Sequence, residues 1–524
     1  MRSLLNPQVT GASRVVSTFI ACVTLAACAN VPVVDDTAAA GHSSTEIRMV
    51  GARGPLSQRQ SKAVLSRLAA EAPDAGALER HLAIEQAVAE SPLVTGNRVK
   101  ILRDGDQTFP AMFAAIRGAQ HFVLLEYYIF EDVNCDGEQL GDLLVSKAQA
   151  GVRIDLIYDG IGSIGTPSEF FTRLQTAGVK VVQFNPPNPL AAGGHFSLND
   201  RDHRKMLIAD GTVVIVGGVN LSSTYQSAPG SGQAAGSAQP SGNTQAPTNA
   251  QASVNAQASA NAQASANAQA SANAQASANA QTHATTQPAQ PAAAPDVWHD
   301  TDLEISGPVV VQLEALFKEH WREQQGPALE EQAADTPAAP QGTEVVRIIG
   351  SAPKRLTSRY YVTLLTAIRN AESSIWITAA YFVPTHQEKE GLIHAARAGV
   401  DVRLLLPSKS DSSPALQVQH SHYSDLLEAG VKIYERRDGI LHSKTMVVDG
   451  VWSITGSSNF DHRSVLFNDE VDAVVLGKDT GDQLATLFQS DLRQAQPIDA
   501  GTWRKRGTLT KVREQFWRLW EKLL

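Results

Sequence analysis

Two windows of this chain repeat the same side chains at the same intervals, and this repetition constrains the fold more than any other feature. The first window holds His203, Lys205, Asp210, Gly217 and Asn220; the second holds His442, Lys444, Asp449, Gly456 and Asn459. Successive members stand 2, 5, 7 and 3 residues apart in both. The surroundings repeat as well. Apolar runs and helical patterns predict strand, helix, strand, helix, strand over 121–130, 137–150, 152–158, 168–176 and 179–184, and the same order over 374–383, 390–398, 400–406, 423–428 and 431–434. Even the joints agree: Ala150-Gly151-Val152 answers Ala398-Gly399-Val400, and Ala177-Gly178-Val179-Lys180 answers Ala429-Gly430-Val431-Lys432. Such a chain folds as two similar α/β lobes, each a mixed β-sheet flanked by helices, and 524 residues are enough for two cores.

Each window predicts a hairpin, with strands 205–209 and 213–216 in the first and 444–448 and 451–455 in the second, turning at Asp-Gly. Residues two apart in a strand face the same side, so the His and Lys of a window project together, with the Gly and Asn of the return strand nearby. The lobes then form a pseudo-dimer around one active site, to which each brings an imidazole, an ammonium and an amide. This set suits a phosphodiester. Lys205, Lys444, Asn220 and Asn459 can stabilise the negative oxygens of the transition state, while one imidazole attacks phosphorus and the other protonates the departing alkoxide. Because the lysines supply the positive charge, neither a metal nor another cofactor is expected. Asp210 and Asp449 complete the catalytic windows, bracing turn and lysine. A net charge of −9 argues against a wholly basic nucleic-acid binder, and no nucleic-acid partner is expected.

The doubled His-x-Lys-x4-Asp pattern resembles the phospholipase D superfamily and, within it, the bacterial cardiolipin synthases. The likeness covers roughly 95–225 and 298–490 and extends to Glu126-Tyr127-Tyr128-Ile129-Phe130, Gly217-Gly218-Val219-Asn220, Tyr381-Phe382-Val383-Pro384, and Asp461-His462-Arg463-Ser464 with Asn468 and Glu470. The resemblance implies a phosphatidyltransferase that converts two phosphatidylglycerol molecules to cardiolipin and glycerol through a phosphatidyl-histidine, with His203 as nucleophile and His442 as general acid, then base. It also implies a carboxylate orienting each imidazole from beyond the opposite window. Glu470, 28 residues after His442, would hold His203; Asp300 stands 97 after His203, or 28 once the 69 residues of 227–295 are removed, and would hold His442. Water as acceptor would make a hydrolytic phospholipase D, and a metal-independent nuclease is a further alternative. Glu126 is either a site carboxylate or the partner of an arginine at the lobe edge, whereas His121, His195, His299 and His462 read as structural or surface residues.

Outside the lobes the sequence changes character. Residues 1–28 form a leader with Arg2, Arg14 and an apolar stretch too short to span a membrane. It ends in Leu25-Ala26-Ala27-Cys28, which resembles the bacterial lipobox; Cys28 would carry the lipid, anchoring the protein in the cell envelope, periplasm-facing and in the outer membrane if Ala29 is read as a sorting signal. The alternative is a secretory leader cleaved near Ala27 or Ala29. Only Cys135 remains as an internal thiol, so no disulfide scaffold exists. Residues 29–94 read as a tether and a helical N-terminal appendage, 95–226 with 296–327 as the first lobe, 328–343 as a linker and 344–495 as the second lobe. The 227–295 tract repeats Asn-Ala-Gln-Ala-Ser-Ala and predicts a disordered, solvated insertion. Residues 496–524 predict a basic amphipathic helix, either interfacial at a membrane or docked on the second lobe. The oligomeric state is not legible.

Overall fold

The computed structural model describes residues 31–34, 47–71, 75–89, 91–188, 197, 199–226, 297–329, 338–353 and 358–524; the leader with Cys28, His195 and the repeat tract lie outside them. Where helices cover both faces of a sheet, strands become continuous apolar runs rather than alternating ones. Phe122–Tyr127 and Lys205–Ala209 are buried at every position for this reason.

In the first lobe the strand order is Lys180–Phe184, Arg153–Asp159, Phe122–Tyr127, Lys205–Ala209, Val213–Gly217, Thr301–Ser306 and Leu93–Arg103. In the second it is Lys432–Arg436, Asp401–Pro407, Ser374–Thr378, Thr445–Val448, Trp452–Gly456, Asn468–Leu476 and Glu344–Ser351. Three parallel strands are followed by antiparallel ones in both, so the sheets match strand for strand. Their last strands pair with each other, Glu344 with Asn97 and Val346 with Val94. The join is more than an edge contact. Leu303, Phe317 and Trp321 of the first lobe share one buried cluster with Val346, Val471 and Val475 of the second.

Several boundaries differ from the sequence reading. The helices Gln58–Glu71 and Ala75–Ala89 are no appendage, because Leu68, Leu78 and Leu82 enter the second lobe's core beside Tyr360 and Leu364. Glu85 is fully buried there, 2.9 Å from Arg347 and accepting from Trp452 Nε1 at 2.9 Å. The second lobe's helices start earlier than predicted, at His386 and Ser413. Their start signals are a capping box of Thr385 with Glu388, and Ser412 followed by Pro414. The C-terminal segment is not one helix. It divides into Ala500–Arg504, Thr508–Arg518 and a 3-10 turn Glu521–Leu523, with Gly507 ahead of the longest piece. The chain leaves for the repeat tract and returns from it at neighbouring points, since the Tyr225 and Trp298 rings lie 5.0 Å apart.

Candidate active site

Two short strand pairs cross from lobe to lobe and set the geometry of the site. Arg201–Asp202 runs parallel to Asn468–Asp469, and the His203 N–H donates to the Asp469 carbonyl at 2.9 Å. Trp298–His299 runs parallel to Ile440–Leu441, and the His442 N–H donates to the His299 carbonyl at 2.7 Å. In each case the next residue of the partner strand is a carboxylate, and the register lays it on the imidazole. His203 Nδ1 is 3.0 Å from Glu470 Oε2; His442 Nδ1 is 2.6 Å from Asp300 Oδ2. A proton on Nδ1 shared with a carboxylate leaves the Nε2 lone pair for chemistry.

Glu470 is held from several sides. Ser457 Oγ donates to it at 2.5 Å, Ser464 Oγ at 2.8 Å and Asn468 Nδ2 at 3.0 Å. Burial would raise its pKa, but the charge and hydrogen bond of His203, with Lys205 and Ser457, keep it at about 2. Burial lowers His203 to about 4 against the pull of Glu470, so its imidazole is neutral at neutral pH. Lys205 is likewise pushed down to about 7 by burial, with Glu470 opposing and Lys444 adding to the fall. His442 and Lys444 are also lowered, first by burial. Lys444 depresses both His203 and Lys205, which expresses the meeting of the two windows in one electrostatic site.

Each lysine folds back over its own histidine. Lys205 Nζ donates to the His203 carbonyl at 2.5 Å, and Lys444 Nζ donates to the His442 carbonyl while standing 2.9 Å from His442 Nδ1. Aromatic rings wall the imidazoles: Tyr128 lies 5.4 Å from His203, and Trp298, Tyr225 and Tyr381 lie 5.2, 5.6 and 6.1 Å from His442. The spacing argument missed these rings and the two serines on Glu470. One signal was available: Ser457 stands where the first window has Gly218. Glycine is required at 218, because a Cβ there would meet Asp300 Oδ1 at 2.1 Å.

The remaining window residues lie elsewhere than predicted. Asp210 accepts from the backbone N–H groups of Gln120, His121 and Phe122 at 2.7–2.8 Å, and Asp449 accepts from those of Glu372, Ser373 and Ser374 at 2.7–3.0 Å. Both sit at the hairpin turn with positive φ, 52° and 53°. Five residues of strand, about 16 Å, separate each from its lysine. They brace the turn against the neighbouring strand and touch neither lysine nor imidazole, so their inclusion among the catalytic residues is corrected. Asn220 is already engaged, its Oδ1 accepting from Ile129 N at 3.0 Å and its Nδ2 donating to Tyr225 OH at 3.0 Å. Asn459 is buried, its Oδ1 without a partner among the described residues.

Glu126 is not in the cleft. Arg204 Nη1 lies 3.1 Å from it and His320 Nδ1 2.8 Å, the arginine alternative. Glu126, Asp202 and His320 are grouped like metal ligands, but the Arg204 guanidinium already supplies positive charge, 3.1 Å from Glu126 and 3.6 Å from Asp469. His299 is buried between Asp104 at 3.1 Å and Arg436 at 3.2 Å, a structural place.

A duplicated α/β fold whose two halves exchange carboxylates across a pair of imidazoles and lysines defines a phospholipase D-type phosphatidyltransferase. The family model described as "Cardiolipin synthase, PLD-like domain" matches residues 112–228 and 364–492. The cardiolipin synthase of Geobacillus thermodenitrificans is 30% identical over 85% of this chain and 75% of its own, and that of Geobacillus sp. WCH70 is 29% identical over 84% and 76%. The crystal structure of phosphatidylserine synthase from Haemophilus influenzae shares the fold, with a TM-score of 0.56 and 10% identity over 84% of this chain and 99% of that one. The chain belongs to the cardiolipin synthase family.

Proposed function

We propose that the protein joins two phosphatidylglycerol molecules into cardiolipin, releasing glycerol, and that His203 and His442 divide the chemistry between them. His203 Nε2 attacks the phosphorus of the first phosphatidylglycerol, the P–O bond to the head-group glycerol breaks, and His442 gives that oxygen its proton. His442 then takes the proton of a glycerol hydroxyl on the second molecule; the new alkoxide attacks phosphorus and the P–N bond to His203 breaks. Lys205 and Lys444 stabilise the charge on the non-bridging oxygens. Assigning attack to His203 is supported by its neutral state and its greater exposure, 13% of the side chain against 7% for His442. The short contact of Asp300 with His442 suits the ring that must carry a proton.

The observation that carries this reading is the pair of carboxylate–imidazole contacts made across the lobes. Substrate and product come from the family: the synthases it resembles bear the name of the product. We assign the site to the periplasmic side of a bacterial envelope, with Cys28 as the lipid-bearing residue, on the strength of Leu25-Ala26-Ala27-Cys28. The test is turnover of radiolabelled phosphatidylglycerol with cardiolipin, phosphatidic acid and glycerol resolved. Cardiolipin with equimolar glycerol is expected. His203→Ala abolishes all turnover, and His442→Ala accumulates acid-labile label on the protein. Phosphatidic acid as the sole product, or turnover by His203→Ala, overturns the reading.

A further inference from the structure

The helix Thr508–Arg518 and the turn after it are mounted the wrong way round for a soluble protein. Leu509, Val512, Phe516 and Leu519 recur at intervals of three and four, on one helical face, and are 83%, 59%, 54% and 78% exposed; Trp520 beside them is 36% exposed. The polar side faces inward. Glu514 is 2% exposed and bonded to Arg506 at 2.6 Å, and Arg513 reaches Gln417 on the underlying helix at 3.0 Å. Isolated exposed apolar residues are ordinary, but a contiguous apolar face held outward by buried polar contacts marks an interaction surface.

Charge and position indicate what that surface meets. Residues 499–524 carry seven Lys and Arg against three Asp and Glu, in a chain of net charge −9. Of the three acids, Glu514 and Glu521 are turned to partners, Arg506 for the first and His422 with Arg518 for the second. Trp517 anchors the helix in a small cluster with Val383, Val418, Leu524 and Tyr381. Tyr381 is also the ring 6.1 Å from His442. One residue therefore separates the outward apolar face from the site.

We infer that this face inserts into the surface of an anionic phospholipid bilayer and seats the mouth of the active site on it. The inference rests on the lipid-substrate reading for its purpose, though not for its geometry. Apolar side chains at 509, 512, 516 and 519 enter the acyl boundary, Trp520 lies at the head-group level, and Lys505, Lys511 and Lys522 meet lipid phosphates.

The test uses the full chain carrying Cys28→Ser, so that no acyl group on that thiol contributes, and vesicles of phosphatidylcholine with or without phosphatidylglycerol. Sedimentation is expected to show salt-sensitive binding that strengthens with phosphatidylglycerol. Leu509→Ser with Phe516→Ser should weaken it by about tenfold, and Lys505→Gln with Lys511→Gln should flatten its dependence on phosphatidylglycerol and salt. Both variants keep their turnover of detergent-dispersed short-chain phosphatidylglycerol, which separates this inference from the catalytic one: a chain that binds vesicles but turns over no lipid refutes only the latter. Unchanged vesicle binding by the serine variant overturns the inference. So does a change in that variant from oligomer to monomer without loss of vesicle binding, which would mark the face as a contact between copies.

Discussion

Replacing Glu470 by glutamine removes one charge and almost no volume, and so isolates what the cross-lobe carboxylate does. In the native site its oxygens accept from His203, Ser457, Ser464 and Asn468. Ser464 and Asn468 donate to the same oxygen, Oε1, so an amide keeps its oxygen there and turns its NH2 toward Ser457 and His203. Ser457 can rotate its hydroxyl and accept; His203 cannot accept at Nδ1 without moving its proton to Nε2, the atom that must attack. A hydrogen bond to a charged group contributes about 1.5–3 kcal/mol net, which is roughly 10- to 150-fold in rate at 1.36 kcal/mol per decade. The inverted tautomer brings the expected loss in kcat to about 100- to 1,000-fold. The assay is single-turnover formation of labelled protein from radiolabelled phosphatidylglycerol, beside a thermal melt. Adduct formation should slow by that factor while the melting temperature stays close to wild type, since every donor retains an acceptor. A rate within about threefold of wild type would refute the argument that this carboxylate sets the tautomer.

Three further outcomes follow from the same geometry. Lys205, lowered to about 7 by burial, is charged below that pH, so kcat/KM should fall as pH rises through about 7. A bound phosphate raises the lysine pKa, which moves the alkaline limb of kcat higher, and coincident limbs in the two profiles would contradict this role. Gly218→Ala drives a Cβ into Asp300 and should lower kcat at least about tenfold by displacing the carboxylate from His442, with little effect on KM; steady-state kinetics decide it. Arg347→Met strands the buried Glu85 charge and should cost about 3–5 kcal/mol, measured by denaturant unfolding.

Much of this was legible in the order of residues. The doubled windows require two lobes, and hydrophobic runs locate their strands because burial on both faces leaves a local signature. The interval of 28 residues, restored when the repeat tract is set aside, places Glu470 and Asp300 at equivalent points of the duplication. Other features have no local signature. Asp210 and Asp449 share the spacing of the histidines and lysines, yet the length of a strand carries them to the far end of the hairpin. Glu126 could be assigned only once Arg204 and His320 were seen around it. The N-terminal helices show their apolar stripe in sequence, but not that the second lobe's core covers it.

The sequence by itself determined the duplication, the inventory of reactive side chains and the charge of the C-terminal segment, since these depend on residue identity and interval alone. The tertiary structure decided which of those side chains share a site and which side of the last helix faces out. Imidazole and carboxylate meet here through the register of strands that cross between lobes, and a register between segments hundreds of residues apart is set by the packing of the whole molecule, not by any stretch of the chain.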